Sequence, residues 1–332
     1  MKKISVGIIG AGRIGKVHTQ TIINHIPDVT VKYVADVFEG SREWVDRLGK
    51  VVFTTDPGRI MKDDDIDAVL ICTSTDTHVK YIMEAAKAKK HIFCEKPVDH
   101  DIERILEAKK AVEENNVKFM IGFNRRFDHN FMAVKRHIDS GAAGKVYFIN
   151  ITSRDPDAPP ISYVKVSGGM FMDMTIHDFD MARFLAGSEV REVYAKGAVF
   201  VDPAIGEAGD IDSAVIILTF ENGVIATINN CRKASYGYDQ RVEVLGSKAG
   251  IEISNDTPST TVLSNETGVV SEKPLHFFMD RYIEAYANEI KQFIDAIAND
   301  SQTPTDMTDG LKSVEIAKAA RKSVDTGLPV KM

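Results

Sequence analysis

The chain has 332 residues, 44% hydrophobic and 27% charged, with 41 Lys and Arg against 48 Asp and Glu for a formal charge of −7. That balance is the balance of an ordinary soluble globular protein, and the length suggests two domains rather than one core. An acidic chain without a Lys/Arg run argues against nucleic acid as a partner, and the longest apolar stretches, Ile4 to Ile9 and Ala214 to Phe220, are of strand length and too short to span a membrane.

The N-terminal MKKISVGIIGAG lacks the long apolar region and small-residue cleavage site of a signal peptide. Cys72, Cys94 and Cys231 are an odd count at unrelated spacings, which points to reduced thiols in a cytoplasm and not to disulfides or a zinc site.

Over residues 1–122, short β-rich apolar runs alternate with longer amphipathic ones. ISVGIIG, VTVKYVAD, KVVFTT, DAVLICT, KHIFCE and KFMIGF read as strands, and Ile14 to His25, Ser41 to Leu48, Thr77 to Lys89 and Ile102 to Asn115 as helices between them. Strands alternating with helices predict βαβ units and a doubly wound parallel sheet, an α/β domain of the Rossmann type. In residues 123–332 a helix near Asn130 to Ser140 leads into the strand KVYFINITS, the loop RDPDAPP and a helix from about Asp173 to Leu185. From Val190, strand-like runs follow one another with turn signals at Glu221-Asn222-Gly223 and Gly246 to Gly250, and the end returns to helix. The second domain is therefore expected to be α+β with an open, mainly antiparallel sheet.

Gly10-Ala11-Gly12-Arg13-Ile14-Gly15 is a GxGxxG directly after the first strand and opening a helix. The glycines suit a tight turn, backbone approach to a pyrophosphate and close helix packing, and the helix N-terminus supplies N–H groups. The second strand ends in Asp36, where the fingerprint places an acid for the adenosine ribose hydroxyls. Asp36 favours NAD because its charge repels a 2′-phosphate; Arg13, a guanidinium within the loop, leaves NADP open. Ligands of open α/β sheets lie beyond the carboxyl ends of the strands, which places Thr73, Ser74, His78, Glu95 and Lys96 as candidates to line a cofactor. Ordinary helix capping at Thr75 to Thr77, an exposed His78 and a surface Glu95–Lys96 pair are the plainer readings of the same residues.

GAGRIG, Asp36, the EKP at 95–97, GFNRRF at 122–127 and GGMFMDMTIHDFDMARFL at 168–185 together resemble the Gfo/Idh/MocA family of oxidoreductases, and the resemblance covers nearly the whole chain. Within it the last segment looks most like the inositol 2-dehydrogenases. The resemblance implies that Lys96 reaches substrate, that the Lys96-Pro97 bond is cis, that His177 is the general base with Asp173 as its partner or as acceptor of a substrate hydroxyl, and that Asp180 binds substrate. Asn124 is implied near the nicotinamide.

Asp173, His177 and Asp180 stand at i, i+4 and i+7, which on one helix stacks them on one face. A helix cap at Asp173 and a solvated Asp180 remain open from the residues alone, and a metal is not expected because no further His or Cys stands near His177. Oxidising a secondary alcohol needs a base for the hydroxyl proton, which suits a histidine, and a cation for the developing alkoxide, which suits Lys96. Arg125, Ser153, Asp155 and Tyr238, with Tyr236 as alternative, are candidates to hold a polyhydroxylated ring. The expected activity is NAD-dependent oxidation of a cyclic polyol, myo-inositol first, with a pyranose sugar or another inositol isomer second, and an NAD-binding sensor or an NAD-using lyase or glycosidase from other classes. One apolar face of the open sheet is expected to be covered by self-association, and the resemblance implies dimers or tetramers formed through that sheet.

Overall fold

The computed structural model describes residues 3–332, which form two compact units: residues up to Phe127 with Glu284–Val314, and Asp128–Ile283 with Glu315–Met332. The division differs from the expected 1–122 and 123–332 because a stretch from the far end of the chain belongs to the first core. Phe293 packs on Phe93 with ring centroids 5.9 Å apart, and Tyr286 meets the His18 ring edge-on at 5.5 Å. The hydroxyls of Thr303 and Thr305 donate to the Phe119 and Ile121 carbonyls, each at 2.7 Å.

In the first unit the strands β1 (Ile4–Ile9), β2 (Val29–Ala35), β3 (Val52–Thr54), β4 (Ala68–Ile71), β5 (His91–Glu95) and β6 (Phe119–Gly122) form one parallel sheet in the order β3-β2-β1-β4-β5-β6. The order reverses beside β1, so the crevice at the carboxyl ends of β1 and β4 is the topological switch point. Ala68–Ile71 is buried throughout and β1 nearly so, the continuous apolar reading of strands covered on both faces. The expected strands are all present, shortened at their ends.

In the second unit β7 (Val146–Arg154), β8 (Val190–Ala198), β9 (Ser213–Phe220), β10 (Ile225–Cys231), β11 (Asp239–Gly246) and β12 (Gly250–Ile253) form a sheet ordered β12-β11-β7-β10-β9-β8, with Val330–Lys331 added beyond β8. The sheet is mixed, because β10 pairs β7 in parallel while its other pairings are antiparallel. Its strands alternate: Ile216, Leu218, Ala226, Ile228, Val242 and Val244 are buried, while Val215, Ile217, Ile225 and Leu245 are exposed. The buried side lies under the helix Ile176–Ala186.

The helix expected from Asp173 to Leu185 is two pieces, Met170–Asp173 and Ile176–Ala186. The Thr175 N–H reaches back five residues to the Met170 carbonyl and closes the first piece, and the second starts with Phe179 bonded to Thr175. Asp173 is therefore the last residue of a short helix rather than the first rung of a stacked face; His177 and Asp180 share the second.

Candidate active site

A cavity of about 390 Å³ opens at the switch point of the first sheet, lined among others by Gly10, Gly12, Asp36, Thr73, Ser74 and Tyr81. The glycines do three different jobs there. Gly10 has φ +100, and a Cβ on it would lie 2.5 Å from the Cys72 carbonyl oxygen. A Cβ on Gly15 would lie 1.9 Å from the Gly10 oxygen, so this glycine lets the helix Arg13–His25 press onto its own loop. A Cβ on Gly12 would meet nothing within 4 Å. That open approach to backbone at a helix start is what a pyrophosphate requires. Ile14 follows in the first turn and Arg13 is exposed beside it.

Asp36 is held where the fingerprint needs it. Its Oδ2 accepts the Ala11 N–H at 2.6 Å and its Oδ1 the Phe38 N–H at 2.8 Å, which fixes the carboxylate against the glycine loop. A dinucleotide fits this set: main-chain N–H groups and space at Gly12 for the phosphates, and an oriented acid for ribose hydroxyls.

Glu95 and His78 were expected to line the cofactor; both are buried, with their polar atoms turned to protein partners. The Glu95 carboxyl takes a 2.6 Å contact from His18 Nε2 in a buried site. The His78 ring is 1% exposed, with Nδ1 2.8 Å from the Pro97 carbonyl oxygen and Nε2 3.1 Å from that of Thr73. Burial lowers the His78 pKa against the two carbonyls, which favour the charged form. Lys96, half-buried, follows Glu95 directly, and its bond to Pro97 is cis as the resemblance implied. Asn124 and Arg125 are both buried in the short helix Asn124–Phe127 after β6.

In the second unit Asp173 is gripped on both oxygens: the Tyr163 hydroxyl donates to Oδ1 at 2.8 Å and Arg232 Nη1 to Oδ2 at 3.1 Å. His177 is half-buried on the following helix, and Asp180 on the same helix is 1% exposed. Beneath them runs a buried polar chain. Thr175 Oγ1 donates to Asn230 Oδ1 at 2.6 Å, Asn230 Nδ2 donates to Asp178 Oδ2 at 2.9 Å, and Ser153 Oγ donates to Gln240 Oε1 at 3.0 Å. Ser153 thus lies on the covered side of the sheet as part of this chain, and Asp155 follows at the strand end with its N–H on the Cys231 carbonyl.

Tyr238 and Tyr236 part company. Tyr238 is buried with its ring edge-on to Phe277 and Tyr282. The Tyr236 hydroxyl donates to Asp239 Oδ2 at 2.7 Å and accepts from Arg154 Nη1 at 2.8 Å. Burial would push Asp239 up, and hydrogen bonds from Arg241, Tyr236 and Asn255 hold it below the usual carboxylate range.

Sequence reasoning missed Arg232, Tyr163, Asn230, Asp178 and His18. The signal for Asn230 was available: in IATINNC it stands at an inward position of an alternating strand, where a polar residue needs a partner.

The family model described as "Oxidoreductase family, NAD-binding Rossmann fold" matches residues 4–123, and that of the GFO/IDH/MocA C-terminal domain matches residues 131–252. An inositol 2-dehydrogenase of Rhizobium meliloti is 49% identical over 97% of both chains, and a myo-inositol 2-dehydrogenase of Thermotoga maritima 44% identical over 98% of both. The crystal structure of a scyllo-inositol dehydrogenase of Lactobacillus casei with bound NAD(H) and scyllo-inositol superposes with a TM-score of 0.92 at 31% identity, over 99% of both chains. Taken with the glycine loop, Asp36 and the two-unit architecture, these matches make the chain a member of the GFO/IDH/MocA oxidoreductase family with an NAD-binding Rossmann domain.

Proposed function

We propose that the protein oxidises a secondary hydroxyl of myo-inositol to the ketone, passing the hydride to NAD, with His177 as general base, Asp173 as its partner and Lys96 as the cation that favours developing alkoxide. The observation that carries this reading is likeness over the full length to inositol 2-dehydrogenases, by a chain that itself holds the lysine, the acid and the histidine. NAD supplies the hydride acceptor. The chain's own groups do the rest: the neutral imidazole takes the hydroxyl proton, and the ammonium hydrogen-bonds the same oxygen as its charge grows.

Asp173, anchored by Arg232 and Tyr163, is fixed to orient that imidazole and to stabilise its charged form. Arg125, Ser153, Asp155, Asp180 and Tyr238 are assigned to the polar surroundings of the ring, and Asn124 to the nicotinamide side. The 31% identical scyllo-inositol dehydrogenase favours a second reading, in which the isomer oxidised is scyllo-inositol.

Reduced-nicotinamide absorbance decides between them. With NAD, a rise with myo-inositol is expected; a flat trace with myo-inositol and a rise with scyllo-inositol moves the assignment to the second, and a rise with glucose alone to a sugar dehydrogenase.

The further parts of the reading concern assembly and place. Phe148, Val215, Ile217, Ile225 and Leu245 lie on one face of the second sheet, between 36% and 50% exposed. That much apolar surface supports self-association as a dimer or tetramer. Among the described residues no helix is long and apolar enough to cross a membrane, and Cys72, Cys94 and Cys231 are free thiols. Reduced cysteines support a cytoplasmic enzyme.

A further inference from the structure

Lys96 has two peptide neighbours, and each is held by a buried histidine from a helix that follows a cofactor loop. On one side, Glu95 meets His18 Nε2 at 2.6 Å. His18 sits in Arg13–His25, the helix opened by the glycine loop, and its ring is wedged edge-on against Phe93 at 5.1 Å and Tyr286 at 5.5 Å. On the other side, the Pro97 carbonyl oxygen lies 2.8 Å from His78 Nδ1, while Nε2 of the same ring faces the carbonyl of Thr73, which lines the cavity. His78 opens the helix His78–Lys87 just after Thr73 and Ser74.

We propose that His18 and His78 are the positioning residues of Lys96, fastening the Glu95 side chain before it and the Pro97 carbonyl after it to the helices that follow the two cofactor loops. The inference rests on the role assigned to Lys96 above.

Neither histidine is placed to act on substrate, since both rings are buried, at 0% and 1% exposure. Each does something a hydrophobic residue of that size cannot: it ties a polar group at the end of β5 to a neighbouring element. Of the two His78 contacts, the one to the Pro97 carbonyl is the shorter, 2.8 Å against 3.1 Å to Thr73. A catalytic group displaced by about 1 Å loses on the order of 100-fold in rate, so two anchors on the residues flanking Lys96 are worth up to that much in kcat while contributing little to cofactor affinity.

The surroundings are closed. Glu289 Oε1 is 3.9 Å from His18 Nε2, and burial first, then the Glu95 charge, raise the Cys72 and Cys94 thiol pKa values. The three groups His18, Glu95 and Glu289 are near enough to share a cation. His18 and Glu95 are already joined by their own 2.6 Å contact, so a cation there would compete with the anchor.

The experiment uses the full-length protein with NAD and myo-inositol, or the polyol that proves active. His78→Phe and His18→Phe are each expected to lower kcat by about 10- to 100-fold while the Kd for NAD stays within about 3-fold. His78→Gln and His18→Gln, which restore an N–H donor, are expected to recover most of the loss. In a Lys96→Ala background the same Phe substitutions are expected to change the residual kcat by less than about 2-fold, because the group they position is gone.

Folded Phe variants with wild-type kcat overturn the inference, as does a loss of the same size with and without Lys96. Should the Phe variants fail to fold, His18→Leu and His78→Leu, smaller and also without a donor, carry the same comparison in both backgrounds. Stoichiometric metal in the purified protein, measured by atomic emission, overturns the His18 half. A Lys96→Ala protein with undiminished kcat is a separate failure, of Lys96 itself, and is read from that single variant.

Discussion

Arg232, 1% exposed, gives Asp173 a 3.1 Å hydrogen bond from inside the second sheet, and the Tyr163 hydroxyl closes on the other carboxylate oxygen. The acid assigned to the catalytic histidine therefore has no freedom to choose its rotamer. Asp173 keeps some solvent exposure, so losing this charged hydrogen bond costs about 1.5–3 kcal/mol. Arg232→Met is expected to lower stability by that order and to lower kcat, whereas Tyr163→Phe, which removes the more exposed of the two bonds, is expected to cost about 1 kcal/mol of stability. Chemical denaturation read beside steady-state rates checks both; an Arg232→Met protein with wild-type kcat would refute the orienting role.

Asp36 is the residue expected to set the cofactor preference. Its carboxylate is fixed by the Ala11 and Phe38 N–H groups, so it offers its remaining lone pairs in one direction. A charge-assisted hydrogen bond contributes about 1.5–3 kcal/mol, which is about 10- to 100-fold in affinity. Asp36→Asn is expected to raise the KM for NAD by about that factor and to narrow the gap to NADP, since the charge that repels a 2′-phosphate is gone. Parallel titrations with NAD and NADP measure it, and an unchanged NAD/NADP ratio would count against Asp36 as the selector.

The glycine loop, Asp36 and the six strands of the first sheet were legible in the sequence because each has a local cause: a turn only glycine can make, a continuous apolar run, an acid closing a strand. What was not legible depends on partners distant in the chain. Nothing near position 95 says that Glu95 turns inward to His18, 77 residues earlier, or that Glu284–Val314 closes the first core. The helix break at Met174-Thr175 escaped for the opposite reason. Asp173, His177 and Asp180 keep helical spacing, and spacing does not register a backbone that restarts between them.

Glu289 makes stability depend on pH. Burial first, and the Glu95 charge second, hold its pKa well above the ordinary 4.5. The folded protein keeps a proton that the unfolded chain releases above about pH 4.5, so the contribution is full below that pH and is lost as pH rises toward the folded value. Glu289→Gln imitates the protonated acid and has no such slope. The variant is expected to match the parent near about pH 4.5 and to become progressively more stable than it at higher pH. Urea midpoints taken across that range test this, and a constant gap between the two proteins would sink it.

Gly12 and Gly15 sit three residues apart and should fail in different ways. A Cβ at Gly15 would lie 1.9 Å from the Gly10 carbonyl oxygen, backbone that cannot step aside without opening the loop, so Gly15→Ala is expected to destabilise the protein by more than about 2 kcal/mol. At Gly12 the backbone has φ −68, which any residue adopts, and an added Cβ meets nothing within 4 Å. Gly12→Val is therefore expected to fold with stability within about 0.5 kcal/mol of the parent and to lose NAD binding, because the side chain fills the approach to the helix N-terminus. Thermal unfolding and calorimetric titration with NAD separate the two effects. A Gly12→Val protein that binds NAD as the parent does would mean that the cofactor phosphates lie elsewhere.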